Sequence, residues 1–265
     1  MNIIIANIIA IYRKELQSYF ASPLALAIAG IYWLISGFFF VYILLGPDGI
    51  LAQIAIREQM GITDPVDVPY QFLQFFLSVM GSLSLFFLPI LSMGLYAEER
   101  KRGTLELLST SPLTNWSVAT GKLLGVLTFY FTMTAPFLLY EAILFGAADP
   151  PISLTIPLLG HLALILLAAS VLSLGMFISS LTESTILAAI FTFALILLLW
   201  VVDAIASGMP GGMGQAMGHL SLLKHYSNLI QGLLNSSSLI LFASYIVLGI
   251  FLTAQSIEAL RYQRS

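Results

Sequence analysis

The sequence predicts an all-α polytopic membrane protein with six transmembrane helices, and two observations carry that prediction. Of its 265 residues, 59% are apolar and 9% charged, with a mean hydropathy of +0.98, whereas a soluble domain carries about 25% charged residues. No water-soluble fold of this length has enough interior to hide that much apolar surface. The apolar residues also gather into six stretches, each about as long as the roughly 20 residues that cross a bilayer. They are Leu24–Leu45, Phe72–Leu95, Leu123–Phe145, Leu158–Leu181, Thr185–Ile205 and Ser238–Ile257. Each must be helical, because backbone groups left unpaired in hydrocarbon are costly. Together they take half the chain, so residues 1–265 read as one transmembrane domain with no room for a separate soluble enzyme.

Taken in order, residues 2–20 read as an interfacial helix. Ile5, Ile8, Ile9, Tyr12, Leu16 and Tyr19 recur at three- and four-residue steps, with Asn7, Lys14, Gln17 and Ser18 largely opposite. Its apolar run precedes Arg13 and Lys14 and no small-residue cleavage site follows, which argues against a signal peptide. Ser22-Pro23 turns the chain into the first span. Pro89 and Pro136 predict local kinks in spans two and three. Tyr42, Tyr70, Tyr96, Trp116 and Trp200 sit near span ends, where amphipathic rings suit the headgroup level. On span four, Ala168, Ala169, Ser173, Gly175 and Ser179 predict close approach of a neighbouring helix.

Basic residues set the expected orientation. Arg13, Lys14, Arg100, Lys101, Arg102, Lys122, Arg261 and Arg264 fall on one side of a six-span arrangement, and only Arg57 and Lys224 on the other. The positive-inside rule then places both termini in the cytoplasm; the resemblance described below implies that the membrane is a bacterial inner membrane.

The island 98–117 concentrates the charge of the chain. Thr104 is placed to cap a short helix carrying Glu106 and ended by Pro112. Such a helix suits a partner's groove, and the same composition also suits a solvated loop that fixes topology; pattern leaves both open. The outer loop 206–237 opens with a glycine-rich run. It then repeats Leu220, Leu223, Tyr226, Ile230 and Leu233 at helical spacing, which predicts a short re-entrant helix before the last span. Met209, Met213 and Met217 at four-residue steps near His219 are either soft ligands for Cu(I) or flexible apolar filler. The glycines around them favour filler.

The chemistry that is missing narrows the function. The one Gly-Lys pair, Gly121-Lys122, is followed by leucine, so there is no phosphate loop for ATP. There is no HExxH or GxSxG, and no cysteine to hold a metal or a disulfide. His161, His219 and His225 are dispersed, which fits satisfied polar side chains. Catalytic, cofactor and metal residues are therefore all expected to be none. Ion-coupled carriers bury ionisable groups near the midplane, but Glu141 and Asp203 lie near the outer ends of spans three and five and Glu183 in an inner turn. Glu141 and Asp203 either line an outer vestibule or snorkel to water. A secondary transporter, a channel and a membrane scaffold remain the competing classes.

Four stretches together resemble a known family. They are Tyr12-Arg13-Lys14-Glu15-Leu16 with Tyr19–Leu24, then Glu98–Leu113, then Gly175–Glu183, and His225-Tyr226 to Gly232 before span six. The chain is similar to permease subunits of ABC-2 type transporters, nearest the gliding-motility and copper-maturation permeases. It departs from them at Ser184-Thr185, where relatives often have Asn-Gln, and at Asn235–Ser238, where they commonly carry an acid and an arginine. The resemblance implies a non-catalytic permease, working as an exporter in a homo- or heterodimer. A separate nucleotide-binding subunit would hydrolyse Mg-ATP, and an extracytoplasmic auxiliary subunit and no nucleic acid would complete the partners. By the same resemblance the ATPase docks on Glu98, Glu99, Arg100, Gly103, Thr104, Glu106, Leu107, Leu108 and Pro112. Arg13, Lys14, Glu15, Tyr19 and Phe20 of the interfacial helix would lie beside it.

Overall fold

The structure, a computed structural model, describes residues 3–62, 64–105, 113–146, 148, 153–209, 211, 214 and 218–262, with the backbone alone at 203, 207, 261 and 262. Among the described residues all regular structure is helical. The helices are α1 (Ile3–Ala21), α2 (Pro23–Leu45), α3 (Ile50–Gln59), α4 (Val68–Ser92), α5 (Gly94–Lys101), α6 (Asn115–Gly146), α7 (Thr155–Leu181), α8 (Thr185–Gly208), α9 (Leu222–Ile230) and α10 (Ser236–Tyr262). Six of them, α2, α4, α6, α7, α8 and α10, are long and apolar enough to cross a membrane.

Short polar residues start the helices where the sequence changes character. The Ser22 hydroxyl accepts from the N–H of Ala25 at 3.3 Å, with Pro23 opening α2. The Asp67 carboxylate accepts from Tyr70 at 3.0 Å ahead of α4, and Ser184 and Ser221 cap α8 and α9 in the same way. Each satisfies one amide that the first helical turn leaves without a partner. Span two is interrupted: α4 ends at Ser92, three residues after Pro89, and α5 restarts at Gly94. The charged residues Glu98–Lys101 thus belong to a helix, not to the loop that the sequence suggests.

α7 is the hub. Its small residues Ala168, Ala169, Ser173, Gly175 and Ser179 are all buried, against α10 on one side and α4 on another. At the α10 crossing the Ser170 and Ser173 hydroxyls each lie 3.3 Å from a carbonyl, of Phe242 and Tyr245 respectively. Only small side chains let two backbones approach that closely. On the other flank, Ser84 of α4 joins three helices. It accepts from the Tyr32 hydroxyl at 2.9 Å and the Tyr130 hydroxyl at 2.7 Å while donating to the Met80 carbonyl at 2.7 Å. α2 and α8 stand at the periphery with broad apolar faces, including Leu34 and Phe38, and Ile186 and Leu198.

α1 packs lengthwise on the first half of α6. Ile8 and Ile11 lie over Gly121, Glu15 and Leu16 over Gly125, and the Tyr19 and Phe20 rings against Phe129 at 5.2 and 5.3 Å. Both chains advance in the same direction through these contacts. The residue pointing into the seam is Glu15, at 8% exposure, whereas Ile3, Ile4, Ile5 and Ile9 face outward. Ile5 and Ile9, which the sequence puts on the apolar face of an interfacial helix, thus lie on the outward side of α1, away from the seam. The two glycines give the seam a groove in which a carboxylate fits.

α9, before the last span, is wedged among α4, α7 and α10. Tyr226 is buried, its ring against Gly81 and its hydroxyl donating to the Leu77 carbonyl. His225 is also buried, its Nδ1 2.8 Å from the Ser238 hydroxyl and its Nε2 3.2 Å from the His219 carbonyl. Only the carbonyl must accept, so Nε2 carries the proton and Nδ1 receives the serine. Burial lowers the His225 pKa, with His219 and Lys224 adding to the effect against the hydrogen bond to the His219 carbonyl. A histidine whose folded pKa lies below its unfolded value of about 6.5 contributes its full stability above that pH and loses it as pH falls below. The thermal midpoint in detergent is expected to drop between pH 7.5 and 5.5, and His225→Gln to flatten that drop. An equal slope in both proteins would remove His225 from the account.

Candidate functional site

The charged end of the bundle is built around one lysine. α6 has 32 residues, about 48 Å at 1.5 Å per residue, while the hydrocarbon core is about 30 Å thick. Its first turns therefore have length to spare beyond the apolar slab, and Lys122 sits in them at 3% exposure. All three ammonium hydrogens have acceptors: the Leu95 carbonyl at 2.7 Å, Glu99 Oε1 at 2.9 Å and Glu15 Oε2 at 3.2 Å. The Tyr96 ring covers the ammonium at 4.9 Å from its centroid. Lys14 Nζ stands 3.6 Å from Glu99 on the open side. Two carboxylates and two ammonium groups thus nearly cancel. That balance is what a buried charge needs, since an unpaired one costs several kcal/mol.

Each partner comes from a different element: Glu15 from α1, Glu99 from α5, Lys122 from α6. Tyr19 adds a fourth tie, its hydroxyl donating to the Leu91 carbonyl of α4 at 2.6 Å. Burial, with the carboxylates of Glu15 and Glu98 nearby, pushes the Tyr19 phenol well above its usual range, so it stays a donor. Beside the network opens a polar cavity of about 560 Å³, lined by Lys14, Glu15, Ser18, Glu98, Glu99 and Arg102 among others.

α5 ends at a turn that only Gly103 can make, with φ +70°. There the N–H of Thr104 donates to the Glu99 carbonyl at 2.9 Å and its hydroxyl to the same oxygen at 3.2 Å. Thr104 therefore helps to close α5, while the short helix expected to carry Glu106 and to end at Pro112 falls on residues 106–112, outside the described residues. Leu105 tucks into the core. Arg100 reaches sideways, donating from Nη1 to the Ser180 carbonyl at 2.9 Å, with Nε 3.5 Å from Glu183. Glu98 pairs with Arg102 at 3.5 Å on the exposed rim.

The structure thus brings Lys14, Glu15, Tyr19, Glu98 and Glu99 to one end, with Thr104, just after Gly103, lining the cavity. Arg13 is exposed, and Phe20 packs on Phe129. Glu106, Leu107, Leu108 and Pro112 lie outside the described residues. Sequence reasoning missed Lys122, which it counted only as a topology signal and as a failed phosphate loop. A charge inside an apolar helix between glycines four apart, Gly121 and Gly125, was the available sign.

At the opposite end, Glu141 is 4% exposed and does not snorkel to water. His161 of α7 lies against it, Nε2 3.0 Å from the carboxylate, so a carboxylate in the apolar bundle is stabilised by a ring N–H. The side chain of Asp203, the other vestibule candidate, lies outside the described residues, as do Met213 and Met217. Among the described residues no three His, Asp or Glu side chains converge as a metal site would need. Two comparisons bear on what this arrangement belongs to. A family model described as ABC-2 family transporter protein matches residues 66–254, well over half of the chain. No curated protein matches it.

Proposed function

The chain belongs to the ABC-2 transporter family, and from that membership we propose that it is the permease subunit of an ATP-driven exporter whose charged end seats a separate ATPase. One observation carries the proposal: buried Lys122 ties α1, α5 and α6 into a single rigid unit beside a charged cavity. A push on the exposed part of α5 cannot be absorbed locally, because moving Glu99 away from Lys122 leaves a buried charge unpaired. The permease supplies no phosphate loop of its own, so Mg-ATP belongs to the partner. Nucleotide drives the cycle only if the ATPase binds the two permease states unequally.

The finer reading follows the same residues. The basic end faces the cytoplasm of a bacterial inner membrane by the positive-inside rule. The peripheral apolar faces of α2 and α8 suit lipid and a second permease chain. The Glu98–Leu113 stretch relates the chain to gliding-motility and copper-maturation permeases, and an extracytoplasmic subunit would attach opposite the ATPase. α9 enters the bundle as a re-entrant segment on the exit side.

The test is affinity purification of the tagged chain from native membranes, with mass spectrometry and an ATPase assay. A stoichiometric nucleotide-binding subunit is expected. Charge reversal at the exposed rim, Glu98→Arg with Arg102→Glu, is expected to cut its retention at least tenfold without altering the thermal midpoint. Undiminished retention removes the rim from the docking surface. The buried Glu141–His161 pair favours a second reading, an ion-coupled carrier. A chain that purifies alone and moves solute in liposomes under a proton gradient would establish that reading instead.

A further inference from the structure

The break between α4 and α5 is held from outside its own segment. α5 has no side-chain cap from the residue that precedes it, Met93. Its first amides are met instead by Ser179 of α7, which is fully buried. The Ser179 hydroxyl accepts from the N–H of Tyr96 at 3.1 Å and of Ala97 at 3.0 Å, and it donates to the Met93 carbonyl at 2.7 Å. A serine 83 positions away from Tyr96 thus performs the task of an N-cap residue.

The neighbours of Ser179 extend the hold. One turn back, Gly175 lets Ser92 of α4 and Thr192 of α8 meet over the α7 backbone, where a Cβ would collide with both. One residue on, the Ser180 carbonyl takes Arg100, whose guanidinium also faces Glu183 in the turn into α8. α5 is therefore fastened at its start and near its end to the α7–α8 corner. Its covalent link to α4 runs through Met93, four residues after Pro89, which offers no N–H to the helix.

The geometry points to Ser179 as the positioning residue that makes α5 and the α7–α8 corner one lever, so that displacement of α5 reaches α8 through Ser179 and not along α4. This rests on the reading of the charged end as the ATPase seat. The lever has two discrete failures, loss of the brace and loss of the push, and they are measurable apart.

The chain has no cysteine, so thiols introduced and spin-labelled in it before assembly with the ATPase are the sole labelled sites. Lys101→Cys with Ile186→Cys reports α5 against the start of α8, and Ile186→Cys with Leu138→Cys reports α8 against α6; all three positions are exposed. Ser179→Val and Ser179→Thr have the same shape, so their difference isolates the hydroxyl. In the complex purified with its ATPase, ATP and vanadate are expected to shift the Ile186–Leu138 distance in the parent and in the Thr variant. In the Val variant that shift is expected to vanish, and the Lys101–Ile186 distribution to widen at least twofold. A Val variant that transmits the shift as the Thr variant does overturns the proposal. Equal nucleotide-free widths in the two variants also overturn it, because the brace is then not the hydroxyl's. Nucleotide that moves neither pair in the parent sinks the ATPase reading, and the lever falls with it.

Discussion

Lys122→Met is expected to be the most damaging single change at the charged end. It leaves Glu15 and Glu99 buried without their ammonium partner, and breaking a buried pair in this way costs about 3–5 kcal/mol. The loss is local before it is global: α1 and α5 loosen from α6, because Glu15 and Glu99 are the charged side chains that tie them to Lys122. The expected readouts are a thermal midpoint lowered by several degrees in detergent and rapid tryptic cleavage at Arg13 and Lys14. The triple replacement Glu15→Gln, Lys122→Met, Glu99→Gln removes the uncompensated charges and is expected to recover most of the stability. It does not recover the linkage between α1 and α5, so under the proposed function ATP turnover by the partner is expected to stay uncoupled from movement of the spans. A Lys122→Met protein with an unchanged midpoint and an uncut α1 would show that the network stabilises nothing.

Gly121→Val with Gly125→Val is expected to undock α1 by a different route, through shape alone. A Cβ at Gly121 would stand 2.8 Å from the Ile11 Cβ and 3.0 Å from the Ile8 carbonyl, and one at Gly125 2.8 Å from the Glu15 Cβ. Neither obstacle is the far end of a flexible side chain, so the helices must separate. Overpacking of this kind typically costs about 1–3 kcal/mol per site. Separation draws Glu15 from Lys122, so the steric and electrostatic losses should not add independently. Measured as a cycle with Lys122→Met, the three-site variant is expected to be less destabilised than the sum of its parts. Strict additivity would mean that the glycine groove and the ion network are separate devices.

The sequence carried the spans well, and α1 and α9 as helices, because hydropathy and helical period are sums over neighbouring residues. It did not show that Glu15 packs inward, since Glu15 scores as polar wherever it points and nothing local shows that Gly121 and Gly125 open a groove for it. It placed Glu98–Lys101 in a loop because their charge ends the apolar run, although the helix simply restarts after Met93. It read Glu141 as near enough to the span end to reach water. The antiparallel return of α7 brings His161 beside it instead, 20 positions later.

What the sequence determined by itself is therefore everything that one segment decides alone: six helices, a basic end, and a charged stretch with no catalytic motif. What only the tertiary structure decided is which of those charges face one another. Lys122 meets Glu15 across 107 positions and Ser179 meets Tyr96 across 83, distances over which composition and spacing carry no signal. The physical reason is that a buried polar group is defined by its partner, and the partner is chosen by how the helices pack.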